Sequence, residues 1–380
     1  MTTSAPSWRD AAPFALSLLT VPLIWIGVVQ GGWWLALVPL YVWWVVTGLD
    51  LLTGPNEANM DPHTPDAALG LYRLITLIWF PVQAVTVYAL IWYVTRAGHL
   101  GGVEKVAAFF GVGVMTGTIG IVHAHELMHQ RTRLERWLGD LLLANVLYSH
   151  FRSEHLLVHH VEVGTPGDAV TARYNEGFHR YFWRVMRQCP VSAWRAERRL
   201  LARRRHSTFH RRNPFWRYLV LQSGMLALAF AVGGWPGLGL FAVQAVVAIW
   251  QLELTNYVEH YGLTRKYLGG GRFERVRPHH SWNAAHKVSN WLMINLQRHS
   301  DHHTKPDRRF PLLQTYAEDK APQLPHGYPL MGAVAMVPPL WRRIMNPRVR
   351  RWRQVHYPEV MDWAPYRSGQ HPEPDAPRVA

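Results

Sequence analysis

The chain has 380 residues and a formal charge of +15, and it is 49% hydrophobic but only 17% charged, against roughly 25% in ordinary soluble domains. Long charge-free runs and 19 tryptophans argue against a soluble globular protein and for a polytopic membrane protein. A single cysteine, Cys189, excludes a disulfide framework, a multi-cysteine zinc site and a fused iron–sulfur module, so any bound metal falls to the 22 histidines.

Between Ala11 and Leu49 lie 39 residues without a charge, enough for two spans of about 17–25 residues each, with Gln30, Gly31 and Gly32 as the turn. A third span is expected from Leu74 to Thr95 and a fourth from Val106 to Val122, separated by a polar, glycine-rich segment. The fourth carries the helix-packing pattern Gly113, Gly117. From Tyr218 to Leu252 another 35 uncharged residues are broken at Gly233, Gly234, Trp235, Pro236 and Gly237, which predicts a second hairpin and six spans in all. The apolar run Pro329 to Trp341 is short and interrupted by Pro338 and Pro339, so it is expected to pack and not to span.

The segment from His123 to Trp216 is rich in arginine, including Arg195, Arg198, Arg199 and Arg203, and the chain after Glu253 is equally basic. Because basic residues stay on the cytoplasmic side, both termini are expected there. The organisation then reads as spans one to four over 1–122, a cytoplasmic block 123–216, spans five and six over 217–252, and a second cytoplasmic block 253–380. No cleavable secretory signal is recognisable, and the proline-rich tail after His371 is expected to be frayed. Beside six spans, the arginine cluster suits anionic headgroups better than nucleic acid.

Four histidine clusters fall at or just beyond the ends of spans four and six. His125 and His129 stand at i and i+4 on a helix that continues span four. His155 and His159 repeat that spacing, with His160 adjacent. His260 lies where span six emerges, and His299, His302 and His303 converge at i, i+3 and i+4 if their stretch is helical. Singly each cluster is weak. Together, nine imidazoles at one membrane face exceed the four ligands of a structural zinc and suit two metal ions with four or five rings each. Imidazole binds iron, copper, zinc and nickel alike, so ligand type does not choose the metal. The first cluster also matches the His-Glu-x-x-His pattern of zinc proteases, a reading that leaves seven histidines without a role. A metal carrier would need ligands along a transmembrane path.

The segments HELMHQ from His125, EHLLVHH from Glu154, NYVEHYGL from Asn256 and LQRHSDHH from Leu296 resemble the four histidine motifs of the integral-membrane alkane 1-monooxygenases, the non-haem di-iron omega-hydroxylases. The likeness extends to TPGDAVTARYNEGF at Thr165, GRFERVRPHHSWN at Gly271, PQLPHGY at Pro322 and PPLWRRIMNPRV at Pro338. Membrane desaturases share spaced histidine clusters but not the NYVEHYGL segment. The chain departs from the family pattern at Val158, where glycine is usual, at Gln130, where a basic residue is usual, and at Gly167, where glutamate is common.

The resemblance implies an all-α fold of six transmembrane helices with a cytoplasmic, histidine-rich di-metal domain, in a bacterial-type inner membrane. It implies that His125, His129, His155, His159, His160, His260, His299, His302 and His303 bind two Fe ions, with O2 as co-substrate. Glu126, Glu154, Asp168, Glu259 and Asp301 are the candidates to orient those rings from behind. The implied reaction is terminal hydroxylation of medium-chain n-alkanes, with methyl hydroxylation of alkyl-aromatics, as in the xylene monooxygenase branch, and fatty-acyl desaturation or hydroxylation as alternatives. Electrons are implied to come from rubredoxin and an NAD(P)H-dependent rubredoxin reductase. A substrate tunnel is expected among the spans, with Trp44, Gly113 and Gly117 as candidates to line it and Trp43, Trp79 and Leu143 as further possible stops.

Overall fold

The computed structural model describes residues 7–368; the tail after His371 lies outside the described residues. Five helical segments are long and apolar enough to cross a membrane: α1 (Trp8–Gln30), α2 (Gly32–Thr53), α3 (Asp66–Arg96), α4 (Gly102–His129) and, later, Pro214–His260. Between them come α5 (Arg133–Asn145), a helical stretch over 151–162, and the amphipathic α6 (Phe178–Arg203). The fifth apolar helix is α7. A small hairpin of β1 (Tyr267–Gly269) and β2 (Arg272–Phe273) follows, then α8 (Lys287–Leu292), α9 (His299–Thr304), α10 (Tyr328–Ala335) and α11 (Pro338–His356).

α7 is not one straight rod. Gly234 takes φ 61° and ψ −154°, a conformation that a side-chain-free residue tolerates, and Pro236 follows it. The chain doubles back there. Tyr88 of α3 donates to the Met225 carbonyl on the first arm and stacks on Phe241 of the second, and Ala229 lies against Gly237. A continuous helix would hold Met225 and Phe241 some ~24 Å apart.

The bundle closes around α4. Some 83% of its apolar stretch is buried, against 22–39% for the others, whose outer faces are left for lipid. Its small residues permit this burial: a Cβ on Gly113 would lie 2.5 Å from Val247, and one on Gly117 would lie 2.7 Å from the Ala248 Cα. Both glycines therefore bring α4 and the second arm of α7 into contact and do not open a wide passage. Polar pairs lock the packing. Thr116 donates to Gln244 at 2.9 Å, the Gln251 amide donates to Thr118 at 2.9 Å, and Gln83 donates to Asn145 at 3.0 Å.

The remaining chain covers the ends of α2, α3, α4 and α7. Asp50, at the end of α2, accepts from the Val288 and Ser289 N–H groups at 2.7 and 3.0 Å. Arg309 joins Asp66 to Glu135, and Arg298 donates to the Ala58 and Leu313 carbonyls. These bonds fasten α8 and α9 over the apolar bundle. On the far side Tyr357 is a hub: its hydroxyl donates to Glu274 and lies 3.0 Å from His279 Nε2 and 2.7 Å from His280 Nε2. The Arg277 N–H donates to His280 Nδ1, so that ring keeps its proton on Nε2 and gives it to the hub, although Glu274, His279 and His280 are close enough to hold a cation.

Replacing Gly117 by valine forces α4 from α7 and is expected to cost about 1–3 kcal/mol. The melting temperature in detergent should fall by several degrees, whereas Gly48→Ala, where nothing lies within 4 Å, should leave it unchanged or slightly raised. Burial alone would raise the Glu274 pKa, but bonds from His280, the Lys266 N–H and Tyr357 bring it down to about 2. Its carboxylate therefore adds stability in full above the ordinary glutamate value of 4.5 and loses it as pH falls towards 2. The gap in melting temperature between the unaltered protein and Glu274→Gln should narrow across that interval.

Candidate metal centre

α4 ends in the first histidine cluster, which places His125 and His129 one turn apart on one face, both buried or nearly so. The second cluster does not follow the α-helical spacing expected of it. Residues His155–His159 form a π turn, and the His160 N–H donates to the His155 carbonyl five residues back. That wider turn puts His155 and His160 on the same side and sends His159 to the other. His260 ends α7. α9 offers His299 and His303 to one side and His302 to the other.

The nine rings thus sort into two groups, His125, His129, His155, His160 and His302, and His159, His260, His299 and His303, each with its donor atoms within 4.8 Å of one another. The groups adjoin, with the His160 and His303 ring centroids 4.7 Å apart. In the first group His155 Nε2 lies 2.9, 3.0 and 2.9 Å from the Nε2 atoms of His125, His129 and His160, and His160 Nε2 lies 3.1 Å from that of His302. In the second, His299 Nε2 lies 3.1 Å from His260 Nε2 and 3.0 Å from His303 Nε2.

These contacts cannot all be hydrogen bonds, because a neutral imidazole carries one N–H and His155 Nε2 faces three partners. Nor does their environment favour charge on five of the rings. Burial, followed by neighbouring rings, holds His155, His299, His302 and His303 well below the ordinary imidazole pKa, and His160 likewise. What remains is a set of inward lone pairs. Nitrogen ligands at ~2.0–2.1 Å from a common ion, set at right angles, are ~3 Å apart, so the observed spacing fits a metal shell.

The carboxylates play unequal parts. Asp168 Oδ2 accepts from His159 Nδ1 at 2.9 Å and from Thr171 at 2.7 Å. Burial alone would raise the Asp168 pKa, but His159, Thr171 and the Val170 N–H hold it low. Glu259 faces His299 Nδ1 at 3.4 Å. The other three touch no ligand ring. Glu126 accepts from Gln130 and the Phe310 N–H. Asp301 accepts from Arg308, Tyr316 and the Gln314 N–H, so it braces α9. Glu154 is buried beside the Cys189 thiol, and burial, followed by the charges of Asp168 and Glu253, pushes its pKa up despite that thiol.

Sequence reasoning overlooked Glu253, which accepts from Tyr148 at 2.8 Å and Asn256 at 3.2 Å. Its signal was available: it is the first charge after 35 uncharged residues. Two narrow cavities lie towards the histidine end of the bundle, and the second touches the rings. One of about 30 Å³ lies among Trp43, Thr118, Gln251, Thr255, Met293 and Tyr328. The other, about 20 Å³, is bounded by Gly117, His125, Phe151, His155, Thr255 and His299. They share Thr255, and the Thr118–Gln251 bond lies in the wall of the first. Trp44 lines neither: it is 54% exposed, because one residue along a helix turns the side chain by ~100°, and Trp43 takes the inward place. Gly113 lines neither cavity, and Trp79 stacks on His123.

Residues 104–335 match the model of the fatty acid desaturase family, a class to which the helical bundle and its histidine groups assign this membrane protein. Alkane 1-monooxygenase 2 of Pseudomonas aeruginosa is 37% identical over 345 residues, 89% of this chain and 90% of the relative. Alkane 1-monooxygenase 2 of Alcanivorax borkumensis is 35% identical over 350 residues, 88% and 89% of the two chains. The xylene/toluene monooxygenase hydroxylase component of Pseudomonas putida is 28% identical over 242 residues, 63% of each chain. The chain belongs to the alkane 1-monooxygenase family.

Asp168→Asn keeps the volume but turns a carboxylate acceptor into an amide. It is expected to weaken metal binding in the His159 group by about 10–100-fold, read as metal content by mass spectrometry after dialysis against graded chelator.

Proposed function

We propose that this chain hydroxylates the terminal carbon of medium-chain n-alkanes, giving 1-alkanols. The observation that carries the reading is the pair of adjoining imidazole groups in a chain that covers about nine-tenths of alkane 1-monooxygenase relatives. Five and four rings would hold one Fe ion each, with Asp168 orienting His159 and Glu259 behind His299. Two irons bound there would supply the activation of O2 that no side chain can provide. One oxygen atom enters the alcohol and the other leaves as water, with two electrons and two protons consumed.

The protein's own residues do the rest. The alkane enters from the bilayer beside Trp43, passes the Thr118–Gln251 pair and presents its end carbon between His125, His155 and His299. Ile121, Val122, Phe151, Leu252 and Leu296 line that last cavity and exclude water from the reacting methyl group. The doubled-back α7 makes six crossings, with the rings and both termini on the cytoplasmic side of a bacterial inner membrane. Rubredoxin, reduced by an NAD(P)H-dependent reductase, supplies the electrons.

Whole cells co-expressing rubredoxin and its reductase, given 18O2 with an n-alkane and p-xylene, should yield labelled 1-alkanol that disappears in His155→Ala. Labelled methylbenzyl alcohol alone would move the substrate to alkyl-aromatics, and an unlabelled alkene would make the protein a desaturase.

A further inference from the structure

A cleft of about 860 Å³ opens beside the second histidine cluster, far larger than either of the two narrow cavities. One wall is α6. Arg195, Arg199 and Arg203 stand at intervals of four along it, and Arg187 lies two turns earlier on the same side. All four are exposed, and Arg195, Arg199 and Arg203 meet no carboxylate among the described residues. Glu162 is the one carboxylate among the lining residues, and Thr165 donates to it. The floor includes Val158 and Val161, the latter 57% exposed.

The floor also lies close to the rings. Val158 is bonded directly to His159, whose neighbour is His160. Gly167 and Ala169, also in the lining, flank Asp168, which is hydrogen-bonded to His159 Nδ1. A charge delivered here has two short routes inward, one through the main chain and one through the carboxylate–imidazole bond. With Cys189 as its one cysteine the chain cannot build an iron–sulfur centre of its own, so on this reading the electrons for turnover come from another molecule.

We propose that this cleft is where the electron donor docks, and that the donor is a small, acidic one-electron carrier with an apolar tip over its redox centre. This rests on the hydroxylase reading above. Arginines around an apolar floor complement acidic residues around an apolar tip, and a charge-steered, modest contact suits a carrier that must leave after each transfer. Each docking oxidises one carrier by one electron, so two dockings serve one turnover. A lipid headgroup could meet the arginines but would have no use for the floor beside His159.

The test uses iron-loaded enzyme in discs of neutral lipid, with reduced rubredoxin as the probe and n-octane as substrate. Arg195→Glu combined with Arg199→Glu should raise the KM for rubredoxin about tenfold or more at low salt. The alkanol formed in one turnover after pre-reduction with dithionite should not change. Arg198→Glu, on the same helix but outside the cleft, should change the KM by less than about twofold. An equal effect of Arg198→Glu would replace docking by a general field, and a defect seen only in discs with anionic lipid would assign the arginines to headgroups; either overturns the proposal. Surface plasmon resonance of rubredoxin on the enzyme separates the two claims. Binding lost in the double variant but no alkanol from any form would overturn the hydroxylase reading and leave the docking surface standing. Undiminished binding by the double variant would overturn the docking surface.

Discussion

Eight of the nine clustered imidazoles set ring nitrogens 2.9 to 3.1 Å from a neighbour's, with too few N–H groups to bond one another, the ninth, His159, closes the second group, and the rest of the structure is arranged to hold them there. Left to themselves, buried lone pairs at this spacing repel and would prefer water. The protein prevents that by supporting the rings from behind. α4 and α7 bring His125, His129 and His260 from the bundle. The 151–162 stretch and α9, braced by Asp301, Arg308 and Tyr316, bring the others. Burial holds His155, His160, His299, His302 and His303 well below the ordinary imidazole pKa, which leaves their ring nitrogens available to a metal ion.

The membrane bundle is the platform for this arrangement. Close approach of α4 to α7 at Gly113 and Gly117 sets the distance between the helices that end in His129 and His260. Polar pairs such as Thr116–Gln244 and Thr118–Gln251 set their register, since an unpaired amide in an apolar interior is costly. The same tight packing leaves narrow cavities, the nearer apolar-lined apart from the rings and Thr255, Asn256 and Glu259. A slender, flexible hydrocarbon suits such a path better than a bulky substrate does. The wide arginine-walled cleft on another side of the same rings suits a protein and not a hydrocarbon. On the two proposals made above, substrate and electrons would approach one centre by surfaces of opposite character.

Hydropathy alone located the apolar segments, because charge-free length is a direct requirement of crossing a bilayer, and the break around Gly234 was visible as a run of glycine and proline. The four histidine clusters were equally legible, since ligand chemistry demands those residue types. Which ring joins which group was not. Spacing in the sequence assumes a regular helix, and the π turn at His155–His159 adds a residue to the turn, so His155 pairs with His160 and His159 crosses to the second group. Nor could the sequence tell Asp168 from Glu126 and Asp301, because orientation of a carboxylate depends on neighbours set by the fold, such as Phe310 beside Glu126 and Tyr316 beside Asp301. Trp44 looked as suitable as Trp43 until helix rotation placed one outward and the other in the cavity lining. Composition and local pattern determined the membrane class and the donor atoms; the grouping of those atoms, their supports and the two approaches to them were decided by tertiary packing, which alone brings together residues more than a hundred positions apart.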